Sequence, residues 1–384
     1  MSSPRSKLIL HIGQHKTGSK ALQSFLAWNA GKLRDRGVLY PMAPTGDRSV
    51  KAYNISHYRL FALLRQEIRP SPEFWLKNEP YCRPFDSAPQ MLEWVETERR
   101  SCGAEVILLS AEDLFDMCTA HELEFSAKTV ALAAERLDSL ARQFDYELQA
   151  IAYVRRQDHL LAAHYAQFIK GSPVNDIGFE TFARAFAPRL KSNEILKIWT
   201  DALGTRPVCV RAYESAALPH GIVPDFFEHV LGFPVPGEWK PPRPDPEFVN
   251  ITPNRDYVEL IRILNRRQKE CLSSFDRASV LEAAAAKPSN GAAEWMSATE
   301  RSRLLEEHAF GNAEIAQRFL GRQDGVLFQE KAPDENQSMG AGLSAERAEE
   351  LLLEIRNLER QQKNGLRTAV TRVFQGMLRR INGG

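Results

Sequence analysis

Lys7-Leu-Ile-Leu-His-Ile-Gly-Gln-His-Lys-Thr-Gly-Ser-Lys-Ala-Leu-Gln-Ser-Phe-Leu26 decides the fold of this chain. Its opening run, Leu8 to Ile12, is almost wholly apolar and reads as a buried strand. Gly13 and Gly18 then bracket a polar turn that holds His15, Lys16 and Thr17. From Ser19 the period changes, because Leu22, Phe25, Leu26 and Leu33 fall on one helical face. A strand, a glycine-bounded loop and a helix place bare backbone N–H groups and a helix N-terminus around an anion, with lysine to neutralise it. A neutral strand-to-helix turn would need none of His15, Lys16, Thr17, Ser19 or Lys20. The stretch is a candidate phosphate-binding loop.

It departs from the Walker A pattern of glycine, four residues, then Gly-Lys-Ser/Thr. Gly13 and Gly18 have the spacing, but Ser19 precedes Lys20 and a second lysine, Lys16, lies inside the loop. The hydroxyl that would hold Mg²⁺ is out of register. An anion site that works without a metal fits better than a nucleoside triphosphatase.

His11-Ile-Gly-Gln-His-Lys-Thr-Gly-Ser19, followed by Leu22-Gln-Ser-Phe-Leu26 and Gly37-Val-Leu-Tyr-Pro41, resembles the 5′-phosphosulfate loop of sulfotransferases. These enzymes use 3′-phosphoadenosine 5′-phosphosulfate (PAPS), and the likeness is nearest to bacterial members acting on carbohydrates. Their loop reads Lys-Thr-Gly-Thr-Thr; Ser19 is an easy replacement for the first of the last two, whereas Lys20 is a departure. The resemblance implies an α/β fold with a P-loop-like parallel sheet flanked by helices, and a cofactor site containing Gly13, His15, Lys16, Thr17, Gly18, Ser19 and Lys20.

The chain has 384 residues, with 50 basic against 49 acidic side chains. That balance provides no field for nucleic acid or an anionic membrane. Five cysteines without CxxC spacing point to a reducing compartment, with neither a disulfide framework nor a zinc site. The N-terminus lacks an apolar leader and no run approaches a membrane span, so a cytoplasmic protein is expected.

Further along, Pro44 and Gly46 mark a loop, and Asn54 and His57 stand near the start of a helix containing Leu60, Leu63 and Leu64. Residues 70–86, dense in proline and aromatics, read as a long surface insertion. Glu105 to Leu109 is a second buried strand that ends in Ser110 and Glu112, and ligands of open α/β sheets sit at such strand ends. Glu112 or Asp113 on a metal would be the kinase-like reading, and a helix N-cap the plain one. Helix 127–142 precedes a third strand, 147–154, and helix 193–203 around Trp199 precedes a strand ending in Val-Arg211-x-Tyr213. Arg211 reads equally well as a cleft residue or half of a surface ion pair. Residues 225–232 read as a short helix with Gly232 near its C-cap, and 233–249 as a proline-rich connector. Further helices run through Phe319, giving a helical subregion at about 250–328.

The second informative motif is Arg155-Arg156-Gln-Asp158, leaving the third strand and opening a helix. Adjacent arginines there can fork onto a phosphate, helped by the helix N-terminus. The motif resembles the family's 3′-phosphate segment, in which an arginine is joined by a serine eight residues on. Arg155 matches, but the serine position is Ala163, which would lose a hydrogen bond worth about 1.5–3 kcal/mol to a charged partner. His164 stands beside it as a replacement.

The resemblance covers residues 7–328 and implies in-line sulfuryl transfer from PAPS to a hydroxyl acceptor, with a saccharide as the acceptor class. Lys16 would stabilise the leaving phosphate. Glu112 and His57 are the candidate bases, histidine being suited near neutral pH. No metal is required, and no cluster has ligand spacing. Two other classes remain: a P-loop kinase or NTPase dependent on Mg²⁺, and a degenerate scaffold for which Lys20 and Ala163 speak. The organisation expected is a domain over 1–330, a linker over 331–342 and a helical tail over 343–384. The tail carries Leu351, Leu352, Ile355 and Leu358 on one face, and reads as docking on its own domain before a partner or a membrane.

Overall fold

The computed structural model describes residues 5–42, 55–239, 252–269, 277–285, 288–289, 291–333 and 342–357. Pro44, Gly46, Asn54, residues 240–249 of the proline-rich connector, residues 334–341 of the expected linker, and the tail from Leu358 lie outside the described residues.

The protein is α/β. Five strands, β1 (Ser6–His11), β2 (Val38–Leu39), β3 (Val106–Ser110), β4 (Tyr146–Val154) and β5 (Val208–Ala212), form one sheet in the order β2-β3-β1-β4-β5. Every pairing is parallel; Lys7 faces Val106 on one side of β1 and Glu147 on the other. Parallel strands buried on both faces need apolar residues at both parities, and β1 supplies them. Leu8, Leu10 and Ile12 enter one core while Ile9 enters the opposite one. The same alternation separates Ile107 and Leu109 from Leu108 on β3.

Helices cover both faces. One layer consists of α3 (Tyr58–Ile68), α5 (Ala88–Cys102), α6 (Ala127–Gln143), α9 (Ser192–Leu203) and α14 (Ala309–Leu320), with Trp199 at full burial. The other contains α1 (Ser19–Trp28) and α10 (Ile222–Phe226), with Leu22, Phe25, Leu26 and Leu33 all buried as their spacing predicts. The short α2 (Ala30–Arg34) follows α1. A second helical core joins α7 (Gln157–Gly171), α8 (Phe179–Phe186), α11 (Arg255–Lys269) and α12 (Arg277–Ala285) through Tyr165, Phe182, Tyr257 and Val280. Helix α13 (Ala298–Glu307) sends Arg301 to Asp158 on α7. Gly232 is the left-handed C-cap of the turn of π-helix that follows α10, at φ 80°.

One expectation changes. Residues 70–86 are not an irregular loop: Pro72–Cys82 forms helix α4, which keeps most of its side chains at the surface. Pro72 sits at the first helical position, where no N–H is needed, behind a Ser71 cap that accepts from the Phe74 N–H. Pro80 lies in the last turn, and Cys82 and Phe85 are buried in the main core. Of the two readings of Arg211, the ion pair is the one found: its Nε donates to Asp225 at 2.8 Å.

The described part of the tail docks on its own chain. Helix 345–357 buries Leu351 and Ile355 in the second core, and Tyr257 donates to Glu354 at 3.1 Å. No described helix is long and apolar enough to cross a membrane.

Candidate functional site

The chain leaves β1 between β3 and β4, where the strand order reverses, and ligand crevices open at such a switch point. Residues 12–18 form the loop there, and Gly18 caps α1 in the left-handed region at φ 79°. Neither a side-chain cap nor an acidic residue complements the helix N-terminus; Lys20 stands in its first turn instead. That sign of charge is unfavourable at a helix start unless an anion binds in front of it.

Backbone geometry makes a cradle. Gly13 has φ 62°, and a Cβ there would lie 2.9 Å from Cβ of Glu112 and 3.0 Å from its Cα. Only glycine fits. Lys16 is itself left-handed at φ 66°, an unusual conformation for a side-chain-bearing residue. Thr17 donates to the Gln14 carbonyl at 2.6 Å, so its hydroxyl shapes the loop from within. Among the described residues, the N–H groups of residues 14–18 have no acceptor. The Ser19 Oγ is buried and unpartnered.

The two sequence motifs meet. Arg155 donates to the Lys16 carbonyl at 2.9 Å, its own N–H goes to Gln14 Oε1 at 2.9 Å, and its guanidinium lies 5.6 Å over the Tyr213 ring. Tyr213 also walls the loop, 3.1 Å from where a Cβ on Gly18 would be. Lys16 Nζ reaches Gln167 Oε1 at 2.9 Å, which turns that face of α7 toward the loop. Ala163, Gln167 and Lys170 share the face by helical spacing, and Ala163 is buried there with only a methyl to offer.

Arg156 goes elsewhere. It donates to both oxygens of Asp158, at 2.8 and 2.9 Å, and to the Lys331 carbonyl at 2.9 Å. Arg301 shares the same carboxylate at 2.9 Å. Arg155 faces the loop, while Arg156 ties α7 to α13 and to the segment after α14.

The candidate bases separate in the same way. Ser110 N–H donates to His57 Nδ1 at 2.9 Å, which leaves Nε2 to donate to the Pro41 carbonyl at 3.0 Å. Both ring nitrogens are taken by backbone, so His57 has no lone pair for an acceptor's proton. Its place is at the start of α3, bolting β3 to the segment after β2. Glu112 stands at the loop, and Gln23 on α1 donates to its Oε2 at 2.6 Å and to Ser110 Oγ at 3.2 Å. Ser110 Oγ in turn bonds His11 Nδ1 at 2.8 Å. His15 turns inward, its Nε2 on the Cys118 carbonyl at 3.0 Å and its ring edge-on to His164, 5.2 Å away. His164 therefore packs behind the loop between His15 and Phe186.

Burial dominates the electrostatics. It pulls the Lys16 ammonium well below its ordinary value, aided by Lys170, Lys20 and Arg155 and opposed by Glu112. Burial, with Lys20 nearby, brings Lys170 down to about 8. Among the described residues, Lys16, Lys20, Arg155 and Lys170 act on one another, with Glu112 opposing them at Lys16, a concentration of positive charge suited to an anion. Gln14, Gln23, Tyr213 and Lys170 carried no role in the sequence reading. Lys170 could have been found from its spacing three residues after Gln167; the glutamines carry no such signal.

Burial also lowers His57 from 6.5 to about 4. The unfolded chain then takes up a proton below pH 6.5 that the native state refuses until about pH 4, so stability is present above 6.5 and lost as pH falls. Between pH 7 and 5 this one ring should cost about 2 kcal/mol. In urea titrations at the two pH values, His57→Gln should show a pH dependence smaller by that amount; an equal dependence would mean the ring is charged in the native state.

Comparison of the chain with family models, with curated proteins and with solved structures finds no match, and the chemistry of the site therefore rests on its own residues.

Proposed function

We propose that this chain transfers a sulfuryl group from PAPS to a hydroxyl acceptor, with a saccharide as the acceptor class. The observation that carries the reading is the contact between the two motifs: Arg155 bonded to the Lys16 carbonyl at the rim of a glycine-shaped loop. A ligand with one anion over the loop amides and a second near the strand-end arginine matches that pairing. The residues present fit such a donor, since the cradle at Gly13 admits no side chain and the buried Ser19 Oγ lacks a partner.

The donor, when bound, supplies an activated sulfuryl group whose departure leaves negative charge on a phosphate. Lys16 and the loop N–H groups offer preorganised donors for that charge in a partly desolvated site, where they are worth more than in water. The lowered Lys16 value favours this: an ammonium crowded by other cations gains more from an arriving anion than an exposed one. Arg155, fixed by the Lys16 carbonyl and the Tyr213 ring, holds the second anion without reorganising. Glu112 is the group positioned to accept the acceptor's proton, since Gln23 binds its Oε2 and nothing among the described residues binds Oε1.

Calorimetric titration with adenosine 3′,5′-bisphosphate and with Mg·ATP tests the reading. The expected result is binding of the bisphosphate in the absence of Mg²⁺. Binding of Mg·ATP alone would replace the proposal with a P-loop kinase, and binding of neither with a scaffold that has lost its ligand.

A further inference from the structure

The loop after β1 and Arg155 after β4 stand on neighbouring strand ends, beyond the ladder that joins those strands. That ladder closes with the Ile12 N–H on the Ile151 carbonyl at 2.9 Å. Past it β1 turns into the loop, while β4 runs on to Val154 alongside β5. Gln14 spans the gap. Its Oε1 accepts the Arg155 N–H at 2.9 Å, and its Nε2 donates to Ser192 Oγ, at the start of α9, at 3.0 Å. A backbone N–H can only donate, so the amide has one orientation. Gln14 and Ser192 are both buried, which keeps water from taking the place of either bond. The Gln14 carbonyl also accepts the Thr17 hydroxyl at 2.6 Å, so the same residue anchors the far side of the loop.

Arg155 is thus held to the loop twice, by its main chain at Gln14 and by its guanidinium at the Lys16 carbonyl. The bond to Gln14 fixes the residue without using any guanidinium N–H, which leaves the rest of the fork for a ligand. A ligand with two anions gains from both sites only when their separation matches its own, and a preset separation spares the cost of ordering them. We propose that Gln14 is a positioning residue that sets the separation of the two anion sites, so that the protein selects a nucleotide carrying both anions over one carrying a single phosphate. This rests on the sulfuryl-transfer reading and names the source of its donor selectivity.

The test is calorimetric titration of the full chain with adenosine 3′,5′-bisphosphate and with adenosine 5′-monophosphate, which lacks the second anion. The wild-type chain should prefer the bisphosphate by more than about tenfold. Gln14→Leu should remove most of that preference by weakening the bisphosphate, with monophosphate affinity staying within about twofold. Ser192→Ala frees one end of the amide and should lower the preference in the same direction by less; it decides the matter alone if Gln14→Leu does not fold. Because Gln14 acts through Arg155, adding Gln14→Leu to Arg155→Ala should cost no further bisphosphate affinity. Equal weakening of both nucleotides in the Gln14 and Ser192 variants would make Gln14 a general support of the loop and overturn this inference alone. An unchanged preference in those variants, additive losses in the double variant, or no preference in a wild-type chain that binds both nucleotides would do the same. A wild-type chain that does not bind the bisphosphate would remove the donor reading and this inference with it.

Discussion

Lys16→Ala should weaken adenosine 3′,5′-bisphosphate binding about a hundredfold and leave the unliganded protein no less stable. The two effects have one cause. Burial, Lys170, Lys20 and Arg155 all disfavour the Lys16 ammonium, so the free protein gains by losing it. The bound anion loses a charge-assisted partner in a desolvated site, which is worth about 2–3 kcal/mol. Alanine meets the same left-handed backbone at position 16, so loop strain should be nearly unchanged. Calorimetry and thermal unfolding read the two arms separately. An unchanged affinity would take Lys16 out of the site, and a large drop in stability would make it a structural residue.

Arg189→Met is the variant expected to damage the fold most. Arg189 is almost wholly buried at the end of the turn that follows α8, and donates to Asp116 at 2.6 Å and to the Thr119 carbonyl at 3.2 Å. Removing it strands the Asp116 carboxylate in the interior, which costs about 3–5 kcal/mol. The damage should reach the loop, because Asp116 accepts from the Cys118 N–H at 3.2 Å and the Cys118 carbonyl holds His15. Urea unfolding should show the full loss. The double variant with Asp116→Asn should recover part of it, since no buried charge is then left alone. No recovery would mean that the arginine acts through packing against Phe186, 4.9 Å away.

Much of the architecture was legible because it rests on local pattern. β1 and β3 were readable as buried strands from apolar runs, and α1 from the spacing of Leu22, Phe25 and Leu26. Prolines misled at 70–86, since composition does not tell a proline at a helix start from one in a loop. Within the motifs, residue types marked the loop, but side-chain direction was beyond reach. Arg155 and Arg156 are adjacent in sequence and part company at the start of α7, one toward Lys16 and one toward Asp158.

By itself, the sequence determined the strand–loop–helix unit, the parallel sheet it seeds and the chemical character of the loop. These follow from periodicity, glycine and charge within some twenty residues. Tertiary structure alone decided which polar groups face the cleft: Ser110 N–H and the Pro41 carbonyl claimed His57, Gln23 fixed Glu112, and α7 brought Lys170 beside Lys16. Those outcomes depend on partners far along the chain, where each buried polar group must find a hydrogen bond and each charge a counterpart or a ligand.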